Sequence, residues 1–268
     1  MTSSPRSQLI DPSLLDSLLG TASGRFVVDA LAECPSTSSV LLERARQGIR
    51  SGTLVVADRQ TAGRGRRGRS WQSSAEASLT FSLLWRFSGG VSRLAGLSLA
   101  TGVAVARALV GCGAGGVGLK WPNDILLDEG KAGGILVELE SEPGGMLAVI
   151  GIGLNLDLPP PGEEPFLYRP AALAQALSPL PDRHQILARL LVELAGVLDL
   201  FADGGFGVLR DEWQVHHAWQ DRAVRLFDGG RAEREGICLG IDADGALLLR
   251  TASGIERCLA GDLTLRAA

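Results

Sequence analysis

Hydrophobic and polar positions change their period several times along this chain, and each change marks an element. Residues 26–33 read as an early strand. Ser38 to Gln47 reads as a short helix, with Ser and Thr at 36–39 supplying N-cap oxygens and Leu41, Leu42 and Ala45 on one face. Thr53–Ala57 is a buried-type strand that leads into a glycine- and arginine-rich loop at 63–69. Ser78–Trp85 is another strand, and Leu94–Val110 is a helix of small residues suited to close packing on a sheet.

Gly118–Trp121, Ile125–Leu127, Gly134–Glu140 and Leu147–Ile152 then follow as strands joined by short turns. Such consecutive hairpins predict a mixed or antiparallel sheet rather than regular βαβ winding. Residues 159–165, rich in proline, read as a loop. Ile186 to Phe201 has helical periodicity (Ile186, Leu187, Leu190, Leu191, Leu194, Val197, Leu198), and Phe206–Ala218 reads as a further helix. Beyond it the period shortens to that of strands, at 224–227, 235–241, 246–250 and 255–259. The turn signals Asp228-Gly-Gly, Asp242-Ala-Asp-Gly and Ser253-Gly separate them. The expectation is an α+β chain: a large domain over 1–218, a mixed β-sheet flanked by helices, and a small β-barrel over 219–268.

Composition adds limits. A chain of 268 residues with 46% hydrophobic and 21% charged residues can bury a large core, and its net charge of −4 argues against a general nucleic-acid binder. Cys34, Cys112, Cys238 and Cys258 are scattered without metal-ligand spacing, and read as reduced structural thiols. His184 and the adjacent His216 and His217 read as core or surface residues, because neighbouring helical positions diverge by about 100°. Residues 1–12 are polar and lack an apolar signal core, and the run Leu94–Ala106 falls short of the ~20 residues that span a bilayer. A cytoplasmic location, away from any membrane, is the expectation.

The basic residues are the informative ones. Among 26 lysines plus arginines only Lys120 and Lys131 are lysine, and both lie in Lys120-Trp-Pro-Asn-Asp-Ile-Leu-Leu-Asp-Glu-Gly-Lys131. A lysine offers a compact, mobile ammonium where arginine offers a planar fork. The turn at Asp128-Glu-Gly returns the chain so that Lys131 can lie near Asn123 and Asp124. Two lysines beside one carboxylate suit a phosphate or acyl-phosphate with a metal ion. Upstream, Gly63-Arg-Gly-Arg-Arg-Gly-Arg69 followed by Ser70-Trp71 formally contains G-x-G-x-x-G. No apolar helix opens after it and no acidic residue follows near 83, so it is not the dinucleotide fingerprint. Four arginines on a glycine backbone instead form a cationic flap able to close on a polyanion, with Trp71 offering a face for a base. Gly151-Ile-Gly-Leu-Asn155 is a strand end where glycines permit close approach.

Together, Ser36-Thr37-Ser38, the segment Gln60–Trp71, Lys120-Trp-Pro-Asn-Asp124, Lys131-Ala-Gly-Gly-Ile-Leu-Val-Glu138 and Gly151–Asn155 resemble the biotin protein ligase family, in order and spacing across about 120 residues. Gly240–Leu249 resembles that family's small C-terminal domain. The resemblance implies a catalytic domain like those of class II aminoacyl-tRNA and biotin synthetases, followed by an SH3-like barrel. It implies that ATP and biotin give biotinyl-5′-AMP and pyrophosphate, and that biotin then passes to a lysine on a biotin carboxyl carrier domain. Lys131, Arg66 and Asp124 would be the catalytic residues. Biotin would meet Ser36, Thr37, Ser38, Gln60, Gly63, Arg64, Gly65, Arg66, Lys131 and Gly133. ATP would meet Arg64, Arg67, Arg69, Trp71, Lys120, Asn123 and Asn155, with Asp124 holding Mg²⁺ and helping to deprotonate the incoming lysine.

Two departures from the family pattern stand out. Ser38 occupies a place where the family often has Asn, and barely thirty residues precede the motifs, against some sixty in members with a DNA-binding domain. The expectation is therefore a ligase that binds no DNA, working as a monomer or weak homodimer. The competing readings are a lipoate or octanoate ligase of the same fold and an Arg-Gly-rich RNA-binding protein, the latter disfavoured by the acidic net charge.

Overall fold

The structure is a computed structural model and describes residues 7–159, 169–228, 231–260 and 263–267. Most of the 159–165 loop and the glycines of the Asp228-Gly-Gly turn lie outside the described residues. The first sheet contains β1 (Val27–Cys34), β2 (Thr53–Gln60), β3 (Ser78–Ser88), β4 (Val117–Lys120), β5 (Asp124–Leu127), β6 (Gly130–Glu142) and β7 (Gly145–Asn155). Its order is β1-β2-β3-β7-β6-β5-β4. Only β1 and β2 run parallel; the other neighbours are antiparallel. The sheet is therefore mixed, as the hairpin-rich sequence predicts.

Period-two alternation sends the strands' side chains to two different cores. Leu54, Val56, Leu83, Ile150 and Ile152 face the larger core, while Val55, Ala57, Leu84, Leu147 and Val149 face a smaller one. The smaller face is covered by α2 (Thr37–Ala45) through Leu41, with Val40, Leu42 and Ala45 packed at its margin. The larger face is covered by α3 (Leu97–Gly111) and α4 (Arg183–Gly204), and the seven apolar positions read from 186–198 are all buried. Helix α3 starts at Gly96, whose φ of 80° ends the preceding 3-10 turn Val91–Leu94. The stretch Val91–Gly111 has the length and mean hydropathy (1.6) of a membrane span, and 67% of it is buried in the fold, as in a core helix.

Three expectations need correction. Helix α1 (Pro12–Leu19) follows the polar first residues, in a stretch where the sequence pattern predicts no element. It is started by Asp11, whose carboxylate accepts from the Ser13 N–H at 2.8 Å, and by Pro12 in the first turn. The helix expected over 206–218 is a 3-10 turn, Phe206–Leu209, followed by the short α5 (Arg210–Val215). The chain leaves the helix because 216–218 pairs with β4 instead: the Leu119 N–H donates to His216 O and the Ala218 N–H to Leu119 O.

The third correction concerns the expected barrel. β8 (Ala223–Asp228), β9 (Arg231–Ile241), β10 (Leu247–Thr251), β11 (Gly254–Cys258) and β12 (Leu263–Ala267) form an antiparallel sheet in the order β11-β10-β9-β8-β12. Register shifts at Leu226/Phe227 and Leu248/Leu249 bend it. Among the described residues no ladder joins β11 to β12, so the sheet stays open. It docks on the first through backbone as well as side chains: buried Trp121 donates its indole N–H to Gly245 O at 3.1 Å. His217 is buried beside Trp213, and burial pushes its pKa down to about 4, so it is neutral near pH 7. All four cysteines are free thiols, and burial pushes those of Cys34 and Cys238 up to about 11.

Candidate functional site

Helix α2 covers only part of the smaller sheet face. Beyond its N-terminus three strands expose small side chains in register: Ser82 beside Gly151, which lies beside Leu136, and Thr80 beside Gly153, which lies beside Gly134. These rows line a cleft that opens to solvent. The glycines are sterically required. A Cβ on Gly151 would stand 2.8 Å from Ser38 Oγ, and one on Gly153 would stand 2.4 Å from the Trp71 ring. The motif Gly151-Ile-Gly153 thus clears space for a serine and an indole.

One end of the cleft is neutral and rich in hydroxyls. Ser36 occupies the N-cap position of α2 but makes no capping bond with its side chain. Gln60 Oε1, at the end of β2, instead accepts from the Thr37 N–H at 2.8 Å. Ser82, fully buried, joins Thr37 Oγ1 at 2.7 Å and Ser38 Oγ at 2.9 Å. Among the described residues the Trp71 indole N–H and the Thr80 hydroxyl are buried with no hydrogen-bond partner. Unsatisfied buried polar groups are costly, so their place on the cleft wall marks them as donors for a bound molecule.

The other end is cationic. The loop after β2 is pinched at its base, where the Trp71 N–H donates to Gly63 O and a Cβ on Gly63 would meet Trp71 O at 2.4 Å. Arg64 reaches back to Glu138 of β6 at 2.5 Å. Arg66 donates to Asn123 Oδ1 at 3.2 Å and to Ala260 O at 3.0 Å, which ties the loop to the β4–β5 turn and to the segment just after β11. Arg67 sits at the apex with a φ of 63°, outside the cleft lining, whereas Gly65, Arg69, Asn123 and Lys131 line it.

Behind the wall lies Asp124. Its Oδ1 is 2.5 Å from Lys131 Nζ and its Oδ2 is 2.9 Å from Lys120 Nζ. Burial opposes its charged form, but Lys131 and Lys120 outweigh that and hold the carboxyl down at about 2. This setting argues against two assigned roles. Both oxygens are already engaged by ammonium groups, which disfavours Asp124 as a Mg²⁺ ligand. A carboxylate with so low a pKa is also a poor base for a substrate ammonium.

Lys120 is 2% exposed with its Nζ 4.9 Å from the centre of the Trp219 ring, and it does not line the cleft. Asn155 is turned away too, donating to Ala171 O at 2.9 Å. Gly133 lies against β7, where a Cβ would meet Gly153 O at 2.6 Å.

The comparisons with known proteins bear on this geometry. Residues 31–157, which contain every candidate site residue, match the biotin/lipoate A/B protein ligase family, and residues 221–266 match the biotin protein ligase C-terminal domain. The chain is 37% identical over 262 residues to the bifunctional ligase/repressor BirA of Salmonella typhimurium, covering 97% of this chain and 80% of that one. It is 34% identical over 263 residues to the biotin–[acetyl-CoA-carboxylase] ligase of Mycobacterium tuberculosis, covering 96% of each. The chain belongs to the biotin protein ligase family. Its fold also superposes on the biotin protein ligase from Aquifex aeolicus in complex with biotin and ATP, with a TM-score of 0.76 and 30% identity over 91% of this chain and 99% of that one.

For a biotin protein ligase, the sequence reading found the loop, the helix start and the lysine segment, which the fold brings to one cleft. It missed Thr80 and Ser82. Their signal was present: Ser78, Thr80 and Ser82 place a hydroxyl at every second position in the first half of β3, whose intervening residues are apolar. That pattern becomes legible only once β3 is known to lie inside the sheet between β2 and β7, where a polar row has to face something other than water.

Proposed function

We propose that this chain is an ATP-dependent biotin protein ligase that activates biotin as biotinyl-5′-AMP and transfers it to a lysine of a biotin carboxyl carrier domain. The observation that carries the reading is a single cleft with a neutral hydroxyl end and a cationic end, Lys131 standing on the wall between Asp124 and the open space. A ureido ring is neutral, with donors and acceptors that suit Ser36, Thr37, Ser38, Gln60 and Ser82. A carboxylate and a triphosphate are anionic and suit Arg64, Arg66, Arg69 and Lys131.

In the first step a biotin carboxylate oxygen attacks the α-phosphorus and pyrophosphate leaves. Two anions must approach, so Lys131 and Arg66 act by offsetting their repulsion and the charge that develops. In the second step the acceptor lysine's amine attacks the acyl carbon, the amide forms, AMP leaves and one proton is lost to solvent. Magnesium enters with the triphosphate of ATP as part of the substrate. Trp71, on the cleft wall, is the candidate to stack on adenine. Among the described residues Arg64 is held by a partly exposed pair with Glu138, a contact worth little, so an arriving anion can take it over.

The domain division we propose is 1–218 and 219–268. A monomer or weak homodimer without DNA affinity, working in the cytoplasm, fits the net charge of −4 and the four free cysteines. The deciding assay combines the purified chain with Mg·ATP, biotin and a carrier-domain fragment. The expected result is a mass gain of one biotinyl group on the fragment; lipoate outcompeting biotin, or no gain, overturns the reading.

A further inference from the structure

Two hydrogen-bonding groups of the cleft have no task in that mechanism. Thr80 is 5% exposed, and among the described residues neither its hydroxyl nor the Trp71 indole N–H has a hydrogen-bond partner. We propose that these two groups are a donor pair for the acyl oxygen of biotinyl-5′-AMP, and that they act in the transfer step, when that oxygen takes on negative charge.

This proposal rests on the ligase reading, and strand register carries it. Positions i and i+2 of a strand share a face, so the cleft floor has two cross-strand rows about 7 Å apart. The first is Ser82–Gly151–Leu136, where a Cβ on Gly151 would lie 2.8 Å from Ser38 Oγ and 3.4 Å from Ser82 Oγ. It belongs to the neutral end. The second is Thr80–Gly153–Gly134. A Cβ on Gly153 would lie 2.8 Å from Trp71 Nε1, and one on Gly134 would lie 3.6 Å from Lys131 Nζ. The second row thus brings both unpartnered donors and the Lys131 ammonium to one strip of glycine floor. A head group held at the first row extends its valeryl chain, of roughly the same reach as the row spacing, to the second.

Charge on the acyl oxygen changes in opposite senses in the two steps. In adenylation one carboxylate oxygen attacks phosphorus, and the other becomes the acyl oxygen and loses negative charge. In transfer the acceptor amine's lone pair forms the C–N bond while the C=O π pair moves onto the oxygen. That pair then returns, the C–O bond to AMP breaks with its electrons leaving on AMP, and the nitrogen loses a proton to solvent. Donors aimed at the oxygen therefore act most strongly in the second step. The fold gives neither group a partner of its own, a cost that a hydroxyl or indole placed for structure would not carry.

The test times the two steps separately in the full chain. Biotin-dependent pyrophosphate release with Mg·ATP reports adenylation. Mass gain of a saturating carrier-domain fragment, mixed with enzyme carrying preformed biotinyl-5′-AMP, reports transfer. Thr80→Val keeps the side chain's shape and removes the hydroxyl. It is expected to slow transfer roughly 10- to 100-fold, and at least about tenfold more than it slows adenylation. Thr80→Ser, which keeps the hydroxyl, is expected to bring transfer back to within roughly threefold of the unmodified chain. Trp71→Phe keeps a ring without the N–H and is expected to slow transfer more than adenylation in the same way. The unfolding midpoint of ligand-free Thr80→Val is expected to hold or rise, because an unsatisfied buried hydroxyl is gone.

Equal slowing of both steps in Thr80→Val would make Thr80 a packing residue and overturn the proposal. A Thr80→Ser chain as slow in transfer as Thr80→Val, or a Trp71→Phe chain with transfer unchanged, would also overturn it. So would a Thr80→Val chain that unfolds at a lower temperature or fails to fold, since its hydroxyl then serves the fold. An unmodified chain that releases no pyrophosphate with biotin overturns the ligase reading and this proposal together; an active one whose transfer is indifferent to Thr80 overturns this proposal alone.

Discussion

The two ends of the cleft are built by different means. At the neutral end, recognition atoms are fixed by backbone: Ser82 by its register between β2 and β7, Thr37 and Ser38 by the first turn of α2, and Gln60 by the end of β2. Their hydrogen bonds link hydroxyls that are already close. At the cationic end, side chains are fixed by other side chains and by distant carbonyls, as with Arg66 on Asn123 and Ala260 and Lys131 on Asp124. A backbone-built end changes little when one group is trimmed. An end built from charges shares its balance among several residues, so one change is felt by all of them.

That contrast can be broken or sharpened by a series of variants. The largest effect is expected at the cationic end: Lys131→Ala should lower adenylate formation by roughly 10²- to 10³-fold, measured as pyrophosphate release, and near-normal release would remove Lys131 from the mechanism. Next, Arg66→Gly removes donors to Asn123 and Ala260 that hold the loop closed. Biotinyl-adenylate should then escape about 10- to 100-fold faster and biotinylate bystander lysines; unchanged retention in a release assay would assign closure to other residues.

A smaller effect concerns stability and acid. The Asp124 carboxyl titrates near 2 in the fold against an ordinary 3.8, so its ion pairs stabilise the protein above about pH 4. That contribution, about 2 kcal/mol, is lost as pH falls through 2. Asp124→Asn should therefore unfold at a lower temperature than the unmodified chain at pH 7, with the gap closing towards pH 2. A gap that stays constant would show that the carboxylate's charge is not what stabilises. The smallest effect is expected at the neutral end: Ser82→Ala should raise KM for biotin by roughly 5- to 10-fold, about 1 kcal/mol, with kcat kept. A fall in kcat at constant KM would mean that the two ends are not separable.

Much of this protein was legible from local patterns. The apolar runs of 78–85 and 147–152, the helical period of 186–201 and the turn signals after 228 are properties of neighbouring residues, and a sequence reports those directly. The segments Gln60–Trp71, Lys120–Asp124 and Lys131–Glu138 also identified the chemistry, because cations, glycines and an indole at those spacings fit few purposes. Less legible were α1, whose start signal of Asp11-Pro12 lies in a polar stretch, and the end of α5, which depends on a pairing with β4 almost a hundred residues away.

The sequence by itself determined which residue types were available for the reaction and in which order they occur along the chain. The tertiary structure alone decided which of them meet the cleft. Lys120 and Lys131 look equivalent in sequence, yet the β5–β6 hairpin puts one on the wall and the strand end beside Trp219 buries the other. Asn155 reads as a ligand and is spent on Ala171 O, while Ser82 reads as an ordinary strand residue and joins two hydroxyls of the neutral end. The reason is physical: a side chain's chemistry belongs to its residue, but its partners, its access to water and hence its charge balance are set by strand register and by what packs behind it.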